Sequence, residues 1–154
     1  MPSRALAPPG EVVIVKIIVR AVGKMRDRRL SSLCDEYVER VRHHLPMVVD
    51  EVDDDQGLLR GLAPGTEIVA LEPGGDAWTT AEFARYLERH MVAGTRVLAF
   101  LIGGADGLGA ATVGQARRRL SLSPLTLPHR LARLVLCEQL YRAVSIIRGE
   151  PYHK

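Results

Sequence analysis

The chain has 154 residues, of which 47% are hydrophobic and 25% charged, and its formal net charge is +3. This length suits one domain with a hydrophobic core, and the composition is ordinary for a globular protein. No stretch approaches the roughly 20 apolar residues that a membrane span needs, and the opening MPSRALAPPGE lacks the apolar centre of a signal peptide. We therefore expect a flexible extension over residues 1–11, a single domain over 12–154 and a cytoplasmic location.

The first third of the chain predicts two strands joined by a helix. VVIVKIIV (12–19) is a continuous β-branched run, which is typical of a buried strand. Residues 27–45 then have apolar positions at helical spacing, and Pro46 predicts the end of that helix. MVVDEV (47–52) predicts the second strand, and a single helical turn is expected in QGLLRGLA after it.

The middle of the chain repeats this alternation. TEIVALE (66–72) predicts a third strand, and PGGD (73–76) predicts a turn after it. A helix is expected over 81–93, capped by the hydroxyl of Thr79 or Thr80.

The last third begins with the most hydrophobic predicted strand, RVLAFLI (96–102), and the glycine-rich loop GGADGLG. A helix is predicted over 110–119, an apolar connector over 120–128, and a long helix over 129–148 that Gly149 ends. Strands that alternate with helices indicate an α/β domain with a mostly parallel sheet.

Charged residues are clustered along the chain. Basic clusters occur in KMRDRR (24–29) and RRR (117–119), and an acidic one in DEVDDD (50–55). Arginine clusters can bind phosphates through charge-assisted hydrogen bonds, or can simply be solvated faces.

The cysteines and histidines predict neither disulfides nor a metal site. Cys34 and Cys137 are too few and too far apart in the sequence to form a disulfide framework. No CxxC or HExxH occurs, and the histidines have no ligand spacing, so we expect no metal.

The glycine-rich loop and the connector are the candidate binding elements. In α/β sheets, ligands bind beyond the carboxyl ends of strands, where glycines allow a ligand to approach the backbone. The loop contains neither GxGxxG nor GxxxxGK[ST], so a tight strand-to-helix turn is an equal alternative. The connector LSLSPLTLP is unusually apolar for a loop, and its backbone groups need partners. A ligand with an apolar body and polar edges, such as adenine, would cover the apolar side chains and pair with the backbone groups. The alternative is that the connector packs under the neighbouring helix.

Four segments together resemble a known family. They are VRAVGKM, IVALEPGGDAW, IGGADGL and SLSPLTLPHRLARLVLCEQLYRAVSIIRGEPYHK. They resemble the ribosomal RNA large subunit methyltransferase H family over nearly all of the chain after residue 12. The resemblance implies an S-adenosylmethionine-dependent methyltransferase of the SPOUT class. It also implies an α/β fold with a C-terminal trefoil knot, a homodimer, and methylation of N3 of a pseudouridine in 23S rRNA, on the large subunit or the 70S ribosome.

The resemblance also implies which residues form the site. Cofactor contacts are expected at the end of the third strand, in the glycine-rich loop and along the connector: Leu71, Glu72, Gly103, Gly104, Leu122, Ser123, Pro124, Leu125, Thr126 and Leu127. Catalytic roles are expected in the last helix and the tail that follows it: Glu138, Arg142, Tyr152, His153 and Lys154.

The chemistry of methyl transfer makes His153 the candidate base. The proton on N3 must leave because a protonated imide is a poor nucleophile, and histidine is the usual base near neutral pH. The chain's terminal carboxylate is the alternative base. Tyr152 could stack on a base or pack on its own helix. Glu138 and Arg142 have the i, i+4 spacing of a structural ion pair, so a substrate role and a structural one both stay open.

Two departures from the family pattern affect these expectations. Ala105 and Asp106 stand where many relatives have Pro-Glu, which keeps the negative charge on a shorter side chain. DEVDDDQGLLRGL is shorter and more acidic than the basic loop and helix of relatives. A SPOUT methyltransferase acting on a different RNA is therefore the alternative function. A ribosome-binding protein without catalytic activity is a third.

Overall fold

A five-stranded parallel sheet forms the centre of the molecule in the computed structural model, which describes residues 13–153. The strands are β1 Lys16–Val22, β2 Met47–Val52, β3 Glu67–Ala77, β4 Val97–Ile102 and β5 Arg118–Ser121. The helices are α1 Arg28–Arg42, α2 Thr80–Val92, α3 Ala110–Gln115 and α4 His129–Arg148, and a 3-10 turn spans Asp55–Leu58. The sheet order is β2-β1-β4-β3-β5, and every neighbouring pair is parallel. The predicted extension over 1–11 and Lys154 lie outside the described residues.

The two faces of the sheet are covered unequally. One face packs against α1, α2 and α4. Of these helices, α4 supplies the largest group of fully buried apolar side chains: Leu136, Cys137, Leu140 and Ala143. The other face is covered by the 3-10 turn through Leu58 and by the loop residue Leu108. Five of the six residues of β4 are buried, because it lies at the centre of the sheet with neighbours on both sides.

Local signals set most helix boundaries. Asp27 caps α1 by accepting from the backbone N–H groups of Arg29 and Leu30. Thr79 and Glu82 form a reciprocal capping box at the start of α2. Gly149 ends α4 in a left-handed conformation with φ 70°. The predicted bounds of α4 are confirmed, whereas α1 ends at Arg42 and not at residue 45.

Two predictions fail where the sheet is built by long-range pairing. The predicted turn PGGD is part of β3, which continues to Ala77 after a register shift between Leu71 and Asp76. The predicted helix 110–119 ends at Gln115, and a fifth strand begins at Arg118. Both errors have one cause: β5 is a short, arginine-rich edge strand, and only its pairing with β3 stabilises either segment as a strand.

Candidate functional site

A pocket of about 610 Å³ lies at the carboxyl edge of the sheet, where β3, β4 and β5 end. It is lined by residues 71–73, 102–107, 120–123, 125–129 and 132. Its volume is in the range of pockets that bind cofactor-sized ligands, and its position is the usual one for ligands of parallel α/β sheets.

The glycine-rich loop forms one wall of this pocket. A Cβ on Gly103 would lie 2.4 Å from the carbonyl carbon of Gly107, so no side chain fits there without movement of the backbone. Gly107 has φ 76°, a conformation that favours glycine. The loop is fixed at its far end by Asp55, which accepts from the backbone N–H of Gly109 at 2.8 Å and the Thr112 hydroxyl at 2.7 Å.

The connector forms the opposite wall. Ser123 Oγ accepts from the backbone N–H of Leu125 at 2.9 Å, and Ser121 Oγ donates to the Ser123 carbonyl at 3.0 Å. Among the described residues, no backbone–backbone hydrogen bond involves residues 123–127. Leu125 is 75% exposed, so the tip of the connector is not packed under a helix. The wall therefore offers an apolar surface together with backbone groups able to bind a ligand.

The pocket brings together nearly all of the residues for which cofactor contact was predicted. Leu71, Glu72, Gly103 and Gly104 line it, and so do all the predicted connector residues except the exposed Pro124. Sequence reasoning missed the first turn of α4, which lines the pocket through His129 and Ala132. The i, i+3 spacing of His129 and Ala132 places both side chains on one face of α4, and this spacing could have identified them.

Two carboxylates place negative charge at the pocket. Glu72 lines it and accepts from Arg119 at 3.3 Å, and Asp106 lies exposed in the glycine-rich loop. Leucine side chains and Ile102 provide the apolar remainder. The pocket therefore suits a ligand with an apolar or aromatic body, hydrogen-bonding edges and a cationic portion.

A second cluster joins the C-terminal tail to α4. Glu138 Oε1 accepts from Arg142 Nε at 2.9 Å, from Arg142 Nη2 at 2.6 Å and from the Tyr152 hydroxyl at 3.1 Å. Arg142 Cζ lies 4.8 Å from the centre of the Tyr152 ring, and the Tyr141 and Tyr152 rings are 4.6 Å apart. The tail thus folds back along α4, and the predicted i, i+4 pair of Glu138 and Arg142 holds it there.

The contacts within this cluster raise the pKa of Tyr152 and of Arg142. Burial, a hydrogen bond with Tyr37 and the charge of Glu138 raise the pKa of Tyr152, so its phenol stays protonated at neutral pH. The hydrogen bond with Glu138 raises the pKa of Arg142. Arg142 Nη1 lies 3.1 Å from His153 Nδ1, and a guanidinium can only donate. Nδ1 therefore accepts in this contact, which leaves Nε2 as the donor nitrogen of the ring.

The tail cluster and the pocket lie apart on α4. No described tail residue lines the pocket. His129 at the pocket and Glu138 in the cluster are nine residues apart on α4, about 14 Å along the helix axis. Within one chain, the residues predicted as catalytic and those predicted to bind cofactor thus form two separate groups.

The acidic segment that departs from the family pattern is largely engaged within the protein. Asp50 pairs with Arg20, Glu51 with Arg133, Asp54 caps the 3-10 turn, and Asp55 caps α3. Within residues 13–153, only Asp53 of these carboxylates has no recorded polar partner. The acidity of this segment is therefore mainly structural.

Fold and pocket together define a class: an α/β domain with a ligand site at the carboxyl edge of a parallel sheet. A solved structure of a probable methyltransferase from Bordetella pertussis Tohama I is similar to this fold, with a TM-score of 0.53 and 16% sequence identity. The match covers 86% of this chain and 97% of that one. The family model "Predicted SPOUT methyltransferase" matches residues 15–153.

Curated relatives narrow the assignment. The Ribosomal RNA large subunit methyltransferase H of Sorangium cellulosum is 46% identical over 145 residues, which cover 90% of this chain and 99% of the relative. The protein of the same name from Gemmatimonas aurantiaca is 41% identical over 155 residues, covering 91% and 100%. The chain therefore belongs to the SPOUT methyltransferase family and, within it, to the ribosomal RNA large subunit methyltransferase H family. The resemblance found in the sequence and the SPOUT fold are confirmed, and the trefoil knot stays a prediction.

Proposed function

We propose that this protein transfers a methyl group from S-adenosylmethionine to N3 of a pseudouridine in 23S rRNA of the large subunit or 70S ribosome. The observation that carries the proposal is the pocket between the glycine-rich loop and the connector, in a chain of this family. The names of the relatives support a ribosomal RNA substrate. No helix among residues 13–153 is long and apolar enough to cross a membrane. We propose the cytoplasm, where ribosomes are found, as the site of action.

The residues of the pocket fit S-adenosylmethionine. The apolar wall at Leu122 and Leu127 suits an adenine ring, and the connector backbone over 123–127 has hydrogen-bonding groups to spare. Glu72 and Asp106 suit the cationic portion of the cofactor. When bound, the cofactor supplies an electrophilic methyl group on a sulfonium. Gly103 permits the close approach of the Gly107 backbone that gives this wall of the pocket its shape.

The protein's own residues orient the target base and handle its proton. We assign His153, Tyr152 and Arg142 to this task, with Glu138 as the residue that positions Arg142 and Tyr152. In the arrangement described, His153 presents an Nε2–H donor, which suits a hydrogen bond to a carbonyl oxygen beside N3. Uptake of the N3 proton at Nδ1 requires that Arg142 first release this atom. We assign Lys154 to contact with a phosphate or with the carboxylate of the cofactor.

The separation of the two residue groups supports a homodimer with composite sites. Because one chain's tail lies along its own α4 and away from its own pocket, the tail of a second copy is the proposed source of His153 at each pocket. Tyr37, Tyr141 and Arg40 surround the tail with aromatic and cationic groups suited to such an interface.

The test is mass spectrometry of 23S rRNA nucleosides from 70S ribosomes of cells that lack the protein. The ribosomes are incubated with S-adenosylmethionine and with wild type, His153→Ala or Arg142→Gln. We expect N3-methylpseudouridine with wild type, and at least a tenfold lower initial rate with either variant. Absence of the product with wild-type protein that binds the cofactor would contradict the proposal and favour the alternative RNA substrate. Full activity of His153→Ala would leave the function standing and remove the assigned role of His153.

A further inference from the structure

A second large groove lies at the opposite, amino edge of the sheet, where the strands begin. It encloses about 1010 Å³ between the second half of α2 and the start of β5. An adjoining cavity of about 460 Å³ shares Arg117 and Arg118 with it and adds Arg119. The two together form the basic groove, and neither the pocket nor the tail cluster includes any residue of its main cavity.

Arginines dominate the charge of the basic groove. Five arginines line it against three carboxylates: Arg85, Arg89, Arg117, Arg118 and Arg119 against Glu67, Asp76 and Glu88. Glu67 has a side chain only 12% exposed, and it lies within ion-pair distance of Arg117 at 3.7 Å and His90 at 3.8 Å. Arg119 pairs with Glu72. The other three arginines therefore supply the positive charge that has no ion-pair partner among the described residues, and the exposed Glu88 and Asp76 offset part of it.

Arg85, Arg89 and Arg118 are exposed and, within the described part of the chain, take part in no recorded ion pair. Arg85 and Arg89 are one helical turn apart, about 6 Å along α2, and so project from the same face. Arg89 in the last turn of α2 also interacts favourably with the helix dipole, but Arg85 and Arg118 have no such role. Guanidinium groups spread along an open groove suit a chain of phosphates better than one small enclosed anion.

The edge strand β5 connects the basic groove to the pocket. Arg118 begins this strand in the groove, and Leu120 and Ser121 end it in the pocket. From Arg118 to Leu122 the chain spans about 13 Å. β5 is the last strand of the sheet, so this edge runs from the basic groove to the pocket with no further strand beside it. An RNA whose target nucleotide meets a cofactor held in the pocket thus brings neighbouring phosphates to the arginines.

We infer that the basic groove, through Arg85, Arg89 and Arg118, binds the phosphodiester backbone of the substrate RNA at a distance from the modified nucleotide. The inference rests on the proposed RNA methyltransferase function. It assigns the groove to affinity for RNA, and neither to cofactor binding nor to the chemical step.

The experiment compares Arg85→Gln/Arg89→Gln/Arg118→Gln with Lys16→Gln/Arg60→Gln/Arg148→Gln, which removes the same charge from exposed basic residues outside the groove. Binding to deproteinised 23S rRNA is measured by fluorescence anisotropy over a series of KCl concentrations. The KM and kcat for 70S ribosomes and the Kd for S-adenosylmethionine are measured in parallel. A triple Arg→Lys variant at the groove positions tests the charge alone.

For the groove variant we expect a slope of log K against log[KCl] that is about 2 to 3 smaller in magnitude, and RNA affinity lower by about tenfold or more at 100 mM salt. KM should rise in parallel, with kcat and cofactor Kd unchanged. The Lys variant should recover most of the affinity, and the matched control should change much less. Groove and control variants with the same RNA affinity and salt slope would overturn the inference.

The two proposals fail separately in this design. If wild type binds RNA through the groove but methylates no 23S rRNA, the inference survives and the proposed substrate does not. If wild type methylates 23S rRNA and the groove variant matches it in KM and salt slope, the function survives and the inference does not.

Discussion

Glu51 belongs to the acidic segment 50–55, but its carboxylate has a structural role next to the pocket. Glu51 Oε2 accepts from Arg133 Nη1 at 2.7 Å and from the backbone N–H of Met25 at 2.6 Å. Arg133 is almost fully buried, and its Nη2 donates to the Gly23 carbonyl. This one carboxylate therefore joins the loop after β1 to the start of α4, which lines the pocket.

Glu51→Gln should destabilise the fold by about 2 kcal/mol, because it leaves the buried Arg133 without its counter-charge. The hydrogen bond from Arg133 lowers the pKa of Glu51, so its stabilising effect is complete above the ordinary carboxyl pKa and is lost as pH falls through the lowered value. The variant should therefore show a flatter loss of unfolding free energy below pH 5 than wild type. Asp53→Asn is the matched control and should change stability by less than about 0.5 kcal/mol. The free energies of unfolding of wild type and the two variants are measured by urea unfolding between pH 3 and 7. Equal values for wild type and Glu51→Gln would refute the role of the Glu51–Arg133 pair.

The need for glycine at position 103 of the pocket can be tested by comparing Gly103→Ala with Gly114→Ala, a substitution outside the pocket. Gly103→Ala places a methyl group 2.4 Å from the backbone of Gly107, so it should cost about 1 to 3 kcal/mol and weaken cofactor binding. Gly114→Ala lies in α3 with no atom within 4 Å of the added Cβ, and it should stabilise by about 0.5 to 1 kcal/mol. Thermal unfolding and calorimetric titration with S-adenosylmethionine measure both effects. Equal behaviour of the two variants would show that the loop adapts freely.

At the scale of elements, short α3 depends on a residue from another part of the chain. Gly109 at its N-cap has no side chain to cap the helix, and Asp55 of the 3-10 turn accepts from the Gly109 N–H instead. Thr112 in the first turn donates to the same carboxylate. The acidic segment thus fixes the end of the glycine-rich loop and the start of α3 together.

Asp55→Ala should lower the free energy of unfolding by about 1 to 2 kcal/mol through loss of this cap. Hydrogen exchange should accelerate in residues 108–115 and in the glycine-rich loop, and much less in α1. Thr112→Val removes only the hydroxyl donor and should have a smaller effect on both measurements. Unchanged exchange over 108–115 in Asp55→Ala would argue against the cap.

At the scale of the whole molecule, the separation of pocket and tail has a direct consequence for mixed dimers. Ala132 lines the pocket from the first turn of α4, so Ala132→Phe should obstruct the pocket with a ring, and His153→Ala removes the proposed tail function. If the sites are composite, unfolding and refolding an equal mixture of the two inactive variants should restore about a quarter of wild-type activity. The reason is that half of the dimers are mixed, and each mixed dimer has one intact site. No recovery, with mixed dimers verified by native mass spectrometry, would place both residue groups of each site on one chain.

The sequence alone determined those features that local chemistry decides. Pro128 and Gly149 flank α4, so its bounds were predicted correctly. The apolar runs of β2 and β4 identified strands, and their alternation with helices indicated the parallel sheet. The i, i+4 spacing of Glu138 and Arg142 predicted their ion pair. Nine of the ten residues for which the family motifs implied cofactor contact line the pocket.

Only the tertiary structure decided what depends on pairing between distant residues. Arg118–Ser121 is a strand because β3 lies beside it, and the same partner keeps PGGD extended. Asp55 and Gly109, 54 positions apart, meet because the 3-10 turn and α3 lie next to each other over one face of the sheet. Sequence spacing cannot encode such contacts, because their energy arises only when the chain has brought both partners together. The basic groove has the same origin: its arginines come from α2 and from residues 117–119 around the start of β5, and the fold alone makes them one surface.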